Sequence, residues 1–304
     1  MLRSFLVIIA LVGLVACQST PQPELTPVQA VTLQGPQADP FGDYWYQGEA
    51  EITSYDLEQA RYGELHEGEA ALIFVTEPLS KTKQVKVDDV NAAGDDAVTV
   101  MKLNFTSTFT TGIYPYSMMF SSFTPVQRQQ YPRMLKVTAT SQEWCGHTFT
   151  QLNYRDGGYE GNLYSYFESE SDQDLSLGDA QLEDELWSTI RLNPADLPTG
   201  SLNVVPGTLA QRLSHAAVQP YRAEATLAPH PNADSLQVYT LVYPDLDRTL
   251  AIHFTADFPH IIEAWTDTHR GLTTTATRKE RMMLDYWSHN KNADLPLRKE
   301  LGLR

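Results

Sequence analysis

The feature that most constrains this chain is a period of two. Over most of its length, apolar residues recur at every second position. Met101, Leu103 and Phe105 alternate with Lys102, Asn104 and Thr106. Leu135, Val137 and Ala139 do the same, as do Tyr221, Ala223, Ala225 and Leu227, and then Leu250, Ile252 and Phe254. Successive side chains of a strand point to opposite faces, so this order specifies strands with one buried and one wetter face. Such strands pair antiparallel through short turns. Arg155-Asp156-Gly157-Gly158 supplies one such turn, because Asp-Gly tolerates the positive φ of a tight hairpin. The pattern predicts a mainly β fold: a large curved antiparallel sheet, or an open, partial barrel, with one or two short covering helices.

The period changes once with force. Leu182, Leu186 and Ile190, with Trp187, fall at helical spacing that begins inside the acidic stretch 169–185, and Pro194 bounds the run. Asp179 is placed to cap this helix. A second short helix is expected from Thr208 to His215, and Asp285 to Arg304 is expected to cap the sheet. Asp196 to Gly207 is rich in Pro and Gly and marks a possible internal boundary of a β-rich domain over 42–304.

Composition narrows the partners. The chain has 304 residues with 22 basic and 38 acidic side chains, a formal net charge of −16. A surface of that sign repels phosphate backbones, so no nucleic acid is expected as a partner, nor an electrostatic grip on anionic lipid. The N-terminus points elsewhere. Arg3 is followed by an uninterrupted apolar run, Phe5 to Ala16, of 12 residues. A spanning helix needs about 20, so the run fits a signal peptide. It ends in Leu14-Val15-Ala16-Cys17, which resembles the lipobox of bacterial lipoproteins. That implies a signal peptide over 1–16, cleavage before Cys17, and lipid on its sulfur and new amino terminus. The membrane is then reached through Cys17. Gln18, not Asp, follows it, which by resemblance implies the outer membrane, facing periplasm or cell surface. Residues 17–41 carry five prolines and read as an extended tether. Only one other cysteine exists, Cys145, so no intramolecular disulfide is expected, and a buried strand position is expected for that thiol.

The candidates for chemistry are few. Glu143, Cys145 and His147 lie two residues apart and would share a strand face, a weak catalytic grouping. Trp144-Cys145-Gly146-His147 lacks the second cysteine of a redox Cys-x-x-Cys pair. His253, Asp267 and His269, with Asp257 and His260 nearby, are residue types that bind metal. Asp172, Asp174, Ser176 and Glu183 match a calcium loop only in part, with Leu177 where the glycine belongs. No nucleophile elbow, phosphate loop or dinucleotide glycine pattern occurs, and no cofactor is expected. Aromatics such as Tyr44, Trp45, Tyr46, Tyr114, Tyr116, Tyr164, Tyr166, Tyr286 and Trp287 could line a groove.

Several stretches, Tyr44-Trp45-Tyr46-Gln47-Gly48, Gln59-Ala60-Arg61-Tyr62-Gly63, Glu143-Trp144-Cys145-Gly146, Leu197-Pro198-Thr199-Gly200 and Tyr286-Trp287, together resemble Bacteroidetes-type bacterial lipoproteins with a lipobox signal. The resemblance implies an anchored envelope protein and brings no activity or site residues. Such proteins are sometimes labelled septum formation inhibitor Maf. Maf proteins resemble cytoplasmic α/β nucleotide pyrophosphatases, which the alternation here does not match. The expected role is non-enzymatic: binding an apolar or envelope-derived ligand, or supporting an assembly with an envelope protein. The alternative is a surface-anchored hydrolase using the His and carboxylate positions. Cys17→Ser is expected to abolish metabolic labelling with fatty acid and to release or mislocalise the protein; unchanged membrane retention would refute the lipobox.

Overall fold

The structure, a computed structural model, describes residues 40–304. Cys17, the signal segment and nearly all of the tether lie outside the described residues. Fifteen strands follow one another: β1 (Ala50–Arg61), β2 (Glu64–Ser80), β3 (Ala97–Thr111), β4 (Tyr114–Pro125), β5 (Lys136–Glu143), β6 (Gly146–Arg155), β7 (Gly158–Ser165), β8 (Gln173–Gly178), β9 (Gln181–Leu182), β10 (Gly200–Val205), β11 (Tyr221–His230), β12 (Ala233–Tyr243), β13 (Arg248–Thr255), β14 (Ile262–His269) and β15 (Leu272–Leu284). Five short helices are interspersed: α1 (Phe41–Trp45), α2 (Val90–Ala93), α3 (Glu183–Leu192), α4 (Thr208–Ser214) and α5 (Leu295–Glu300). The expected mainly β architecture holds.

All fifteen strands form one sheet, in the order β8-β7-β6-β5-β4-β3-β2-β1-β15-β14-β13-β12-β11-β10-β9. Every neighbouring pair is antiparallel except β9 with β10. The meander therefore puts alternate connections at opposite ends. The β1–β2, β3–β4, β5–β6, β7–β8, β12–β13 and β14–β15 turns share one end, called here the rim. Helix α1 and the β2–β3, β4–β5, β6–β7 and β13–β14 connections share the other. β8 and β9 are the two edges of the sheet, yet only Asp179 and Ala180 separate them in sequence. Two residues cannot bridge the breadth of a flat fifteen-stranded sheet. The sheet must curl until its edges stand side by side, although no ladder joins them.

The alternation seen in the sequence is the inside and outside of this shell. Arg248, Leu250, Ile252 and Phe254 of β13 are buried, and the residues between them are half-exposed. Likewise Met101, Leu103, Phe105, Ser107 and Phe109 of β3 are buried. The central strand β1 departs from alternation, being buried continuously from Ala50 to Tyr55. Its second face is covered by the C-terminal segment: Ser54 Oγ donates to the Leu301 carbonyl at 2.5 Å, and Leu301 is buried.

Helix α3 departs from expectation. It does not cover the sheet from outside; all ten of its residues are buried. Leu186, Trp187, Ile190 and Leu192 belong to the same core as the inward faces of the strands. Trp187 sits edge-on to Phe105 and Trp265, with centroids 5.2 and 5.4 Å away. The first turn starts at Leu182 without a side-chain cap. Asp179, the expected cap, instead accepts from Arg133 Nε at 2.7 Å and Tyr154 Oη at 3.0 Å. The helix also carries charge inside. Arg191 in its last turn donates to both oxygens of Glu51 on β1, and its Nε donates to the Pro259 carbonyl at 2.9 Å. Burial alone would raise the Glu51 carboxyl, but Arg191 and the hydrogen bonds from Arg191 and Tyr44 outweigh it and hold it near 2.

Removing one partner of a buried ion pair leaves an uncompensated charge and costs about 3–5 kcal/mol. Arg191→Met is expected to lower unfolding free energy by that order in urea titration, and the Glu51→Leu/Arg191→Met double variant to lose much less. Equal losses in both would show that the pair is not coupled.

Candidate functional site

Three acids open helix α3: Glu183, Asp184 and Glu185, none more than 3% exposed. Each finds a different partner. Glu183 accepts from both terminal nitrogens of Arg248 at 2.6 and 2.8 Å and from Tyr243 Oη at 2.7 Å. Arg248 also reaches Asp267 on β14 through Nε and Nη2, both at 2.8 Å. Glu185 pairs with Arg128 Nη2 at 2.6 Å. Among the described residues, Asp184 alone of the three makes no ion pair. Its two oxygens accept the backbone N–H of Thr208, at 3.2 and 3.0 Å. Helix α4 has no capping side chain of its own, since its N-cap is Gly207, so a carboxylate from α3 supplies the cap. Gly207 is required there: a Cβ would stand 2.6 Å from Glu183 Oε1. Burial, and next the neighbouring Glu183, push the Asp184 carboxyl up to about 7.

Around this group the shell is incompletely filled. An interior cavity of about 80 Å3 is lined by Leu57, Phe105, Met118, Phe120, Trp187 and Trp265 on its apolar side, by Glu183, Asp184, Arg248 and Asp267 on its polar side, and by Leu209, Ala210 and Leu213 of α4. A second space of about 290 Å3 shares Gln59, Ala210, Leu213, Arg248, Asp267 and Thr274 with it, and continues to Arg61, Tyr62, His269 and Arg270 at the rim. The second space is thus the mouth of the first. Its charge runs against that of the chain. Arg248 is neutralised by Glu183 and Asp267, whereas Arg61 and Arg270 have no carboxylate partner among the described residues. Arg61 donates to the Leu213 carbonyl and lies over the Tyr62 ring, 4.4 Å from its centroid, while its buried Nε has no partner. On the other side of α4 lies a pocket of about 110 Å3, into which Ser141, Thr208, Gln211 and Arg212 face. The pairs Arg212–Glu143 (3.0 Å) and His215–Glu170 (2.5 Å) lie on its rim side.

The candidates read from sequence distribute as follows. Glu143 ends β5, where Oε1 takes Arg212 and Oε2 accepts the Cys145 N–H at 2.5 Å. Cys145 is not a buried strand residue. Residues 144 and 145 form the β5–β6 turn, and the thiol is exposed. His147 sits opposite Gln142, and both are exposed, whereas Glu143 turns inward to Arg212. The three therefore do not share a face. His253 lies on the outer face of β13, its ring 5.3 Å from that of His230. Asp267 stands opposite the inward-facing Leu250, and His269 opposite Arg248, so His253 is directed away from both. Asp257 and His260 occupy the β13–β14 turn at the far end. Among the described residues, no three His, Cys, Asp or Glu side chains gather to hold a metal ion. Asp267 and His269 do meet, but at the cavity mouth. Nor do the calcium-loop residues converge: Asp172 accepts from Ser165 N–H, and Asp174 from Asn162.

The raised Asp184 carboxyl has a sign. Its folded pKa of about 7 exceeds the ordinary 3.8, so between those values the folded state holds more protons than the unfolded. Stability from this group is full below about pH 4 and is lost as pH rises through 7, by an amount on the order of 2–4 kcal/mol. Denaturant midpoints at pH 5 and pH 8 are expected to differ less in Asp184→Asn than in the parent chain; an unchanged difference would remove Asp184 as the titrating group.

No protein-family model matches the chain, and no curated protein matches it. Among solved structures it is similar to the crystal structure of a beta-barrel-like protein of a domain of unknown function, DUF1849, from Brucella abortus, with 8% identity and a TM-score of 0.45, over 77% of this chain and 97% of that one.

Proposed function

We propose that this chain is a lipid-anchored envelope protein, held at the bacterial outer membrane through Cys17, that binds an apolar-tailed ligand inside its curled sheet. The observation that supports this reading is the cavity with an aromatic wall and a few convergent polar groups, which has the lining, not the volume, of a small-molecule site. The volumes bound the pose. An engineered void of roughly 150 Å3 accepts benzene, so the interior of about 80 Å3 takes only the tip of a chain. The larger mouth takes the rest. Arg61 and Arg270 there favour a ligand whose head is anionic, such as a fatty acid, over a neutral one of the same tail. A hydrolytic role would require the His and carboxylate candidates to converge around one reacting atom, and they lie apart.

Two measurements test this. Protein extracted under native conditions is expected to carry lipid detectable by mass spectrometry. A fluorescent long-chain carboxylic acid is expected to bind saturably and more tightly than the matching alcohol. Ala210 lines both spaces, so Ala210→Phe is expected to weaken that binding while the thermal midpoint stays near the parent value. No co-purified lipid together with no saturable binding would end this reading.

A further inference from the structure

Eleven large apolar side chains are exposed on the described chain, and six of them cluster at the rim: Tyr62, Leu65, Ile113, Trp144, Tyr164 and Tyr166. Ile113, Trp144 and Tyr166 are 82%, 70% and 76% exposed. They come from separate hairpins, three of which are joined by aromatic contacts. Tyr62 Oη meets Tyr116 Oη at 2.9 Å and receives Tyr114 Oη at 3.3 Å. Tyr114 in turn stacks on Trp144, with centroids 6.1 Å apart. Three successive turns are thereby tied into one aromatic strip that borders the cavity mouth at Arg61 and Tyr62.

We propose that this rim docks on the interface of a lipid bilayer of zwitterionic lipids, bringing the cavity mouth onto the lipid surface. The proposal rests on the envelope reading above. Three observations favour a membrane over a protein partner. The exposed residues are mainly Tyr and Trp, whose rings are apolar with a polar tip and which settle at headgroup depth. Tyr62, Ile113, Trp144 and Tyr166 stand on the turns at one end of the shell, with Leu65 and Tyr164 at the adjoining strand ends, rather than in a groove that would receive a peptide. The anchor also permits it. The described chain begins at the opposite end, beside Phe74 and Phe258. The Pro-rich residues 18–39 reach about 70 Å when extended at roughly 3.1 Å per residue. Strand β3, with 15 residues, spans only about 50 Å at roughly 3.3 Å per residue. A chain fixed through Cys17 is thus long enough to turn its far end toward the membrane that holds it. The acidic net charge of −16 gives no attraction to anionic lipid, so the contact is apolar and insensitive to salt.

The five tryptophans make the orientation measurable. Trp45, Trp187 and Trp265 are buried; Trp144 is exposed at the rim and Trp287 is exposed after β15, at the other end. Full-length lipidated protein is placed in phosphatidylcholine vesicles containing a bromine-labelled lipid. Its emission is expected to be quenched, at low and high salt alike. That quenching is expected to be lost in Trp144→Phe, retained in Trp287→Phe, and reduced in Ile113→Ser/Tyr166→Ser. No quenching of the parent, or quenching unchanged in Trp144→Phe, would overturn the docking. A dimer in sedimentation that Ile113→Ser/Tyr166→Ser dissociates would assign the rim to a second copy and also overturn it. Uptake of the fluorescent acid, measured in the same samples, separates the two ideas: uptake without quenching removes the docking and leaves the ligand site standing.

Discussion

The rest of the structure depends on a charged helix enclosed in a β shell. Carboxylates and a guanidinium taken out of water cost several kcal/mol each unless they are paired and fully hydrogen-bonded. Helix α3 pairs three of its four buried charges, at both ends, and leaves Asp184 to the Thr208 N–H. Glu183 takes Arg248 and Tyr243, Glu185 takes Arg128, and Arg191 takes Glu51. The arrangement also follows the helix dipole, with three acids in the first turn and the arginine in the last. These partners come from β1, β12, β13 and the β4–β5 connection, which lie in different parts of the sheet. Each bond therefore fixes a strand to the helix as well as neutralising a charge. Tryptophan 187 fills the space between them against Phe105 and Trp265.

The curling of the sheet and the placing of the helix are one event in the chain. β8 is one edge of the sheet and β9 the other, and α3 follows β9 directly. When the edges approach, the helix is delivered into the enclosed space. The sheet is long enough to wrap it because β1 and β15 join its two halves, and the C-terminal segment seals the outside of that seam through Ser54 and Lys279, whose ammonium donates to the Gly302 carbonyl at 2.7 Å.

Much of the shell was legible in the sequence because period-two alternation reports the two faces of a strand directly. The Asp156-Gly157 hairpin was legible for a similar local reason: both residues take positive φ, 50° and 84°. Helix α3 was legible as a helix from Leu182, Leu186 and Ile190, but not as a buried one. An acidic triplet reads the same whether water or arginine surrounds it, and the arginines that meet it are about 60 residues away on either side. Cys145 failed for a different reason. Glu143 to Tyr154 is rich in strand-forming residues, and the two-residue turn inside the hairpin, Trp144-Cys145, carries no Gly, Pro or Asn to mark it. Of the site, Asp267 and His269 were singled out beforehand for metal binding, and Glu183 as part of an incomplete calcium loop. Arg248, which occupies Asp267, and Asp184 carried no local signal, since their roles come from register and from the packing of one helix on another.

Helix α4 is where structure and proposed chemistry meet. It stands between two spaces, with Ala210 and Leu213 on the interior cavity, Gln211 and Arg212 on the other pocket, and Leu209 on both. Its seven residues are too few to be stable as an isolated helix. What holds it is borrowed: Asp184 at its first N–H, Arg61 at the Leu213 carbonyl, Glu143 on Arg212 and Glu170 on His215. Three of these four contacts involve rim residues. On the proposed reading, a ligand tail that reaches Trp187 and Trp265 passes Ala210 and Leu213, which line both spaces.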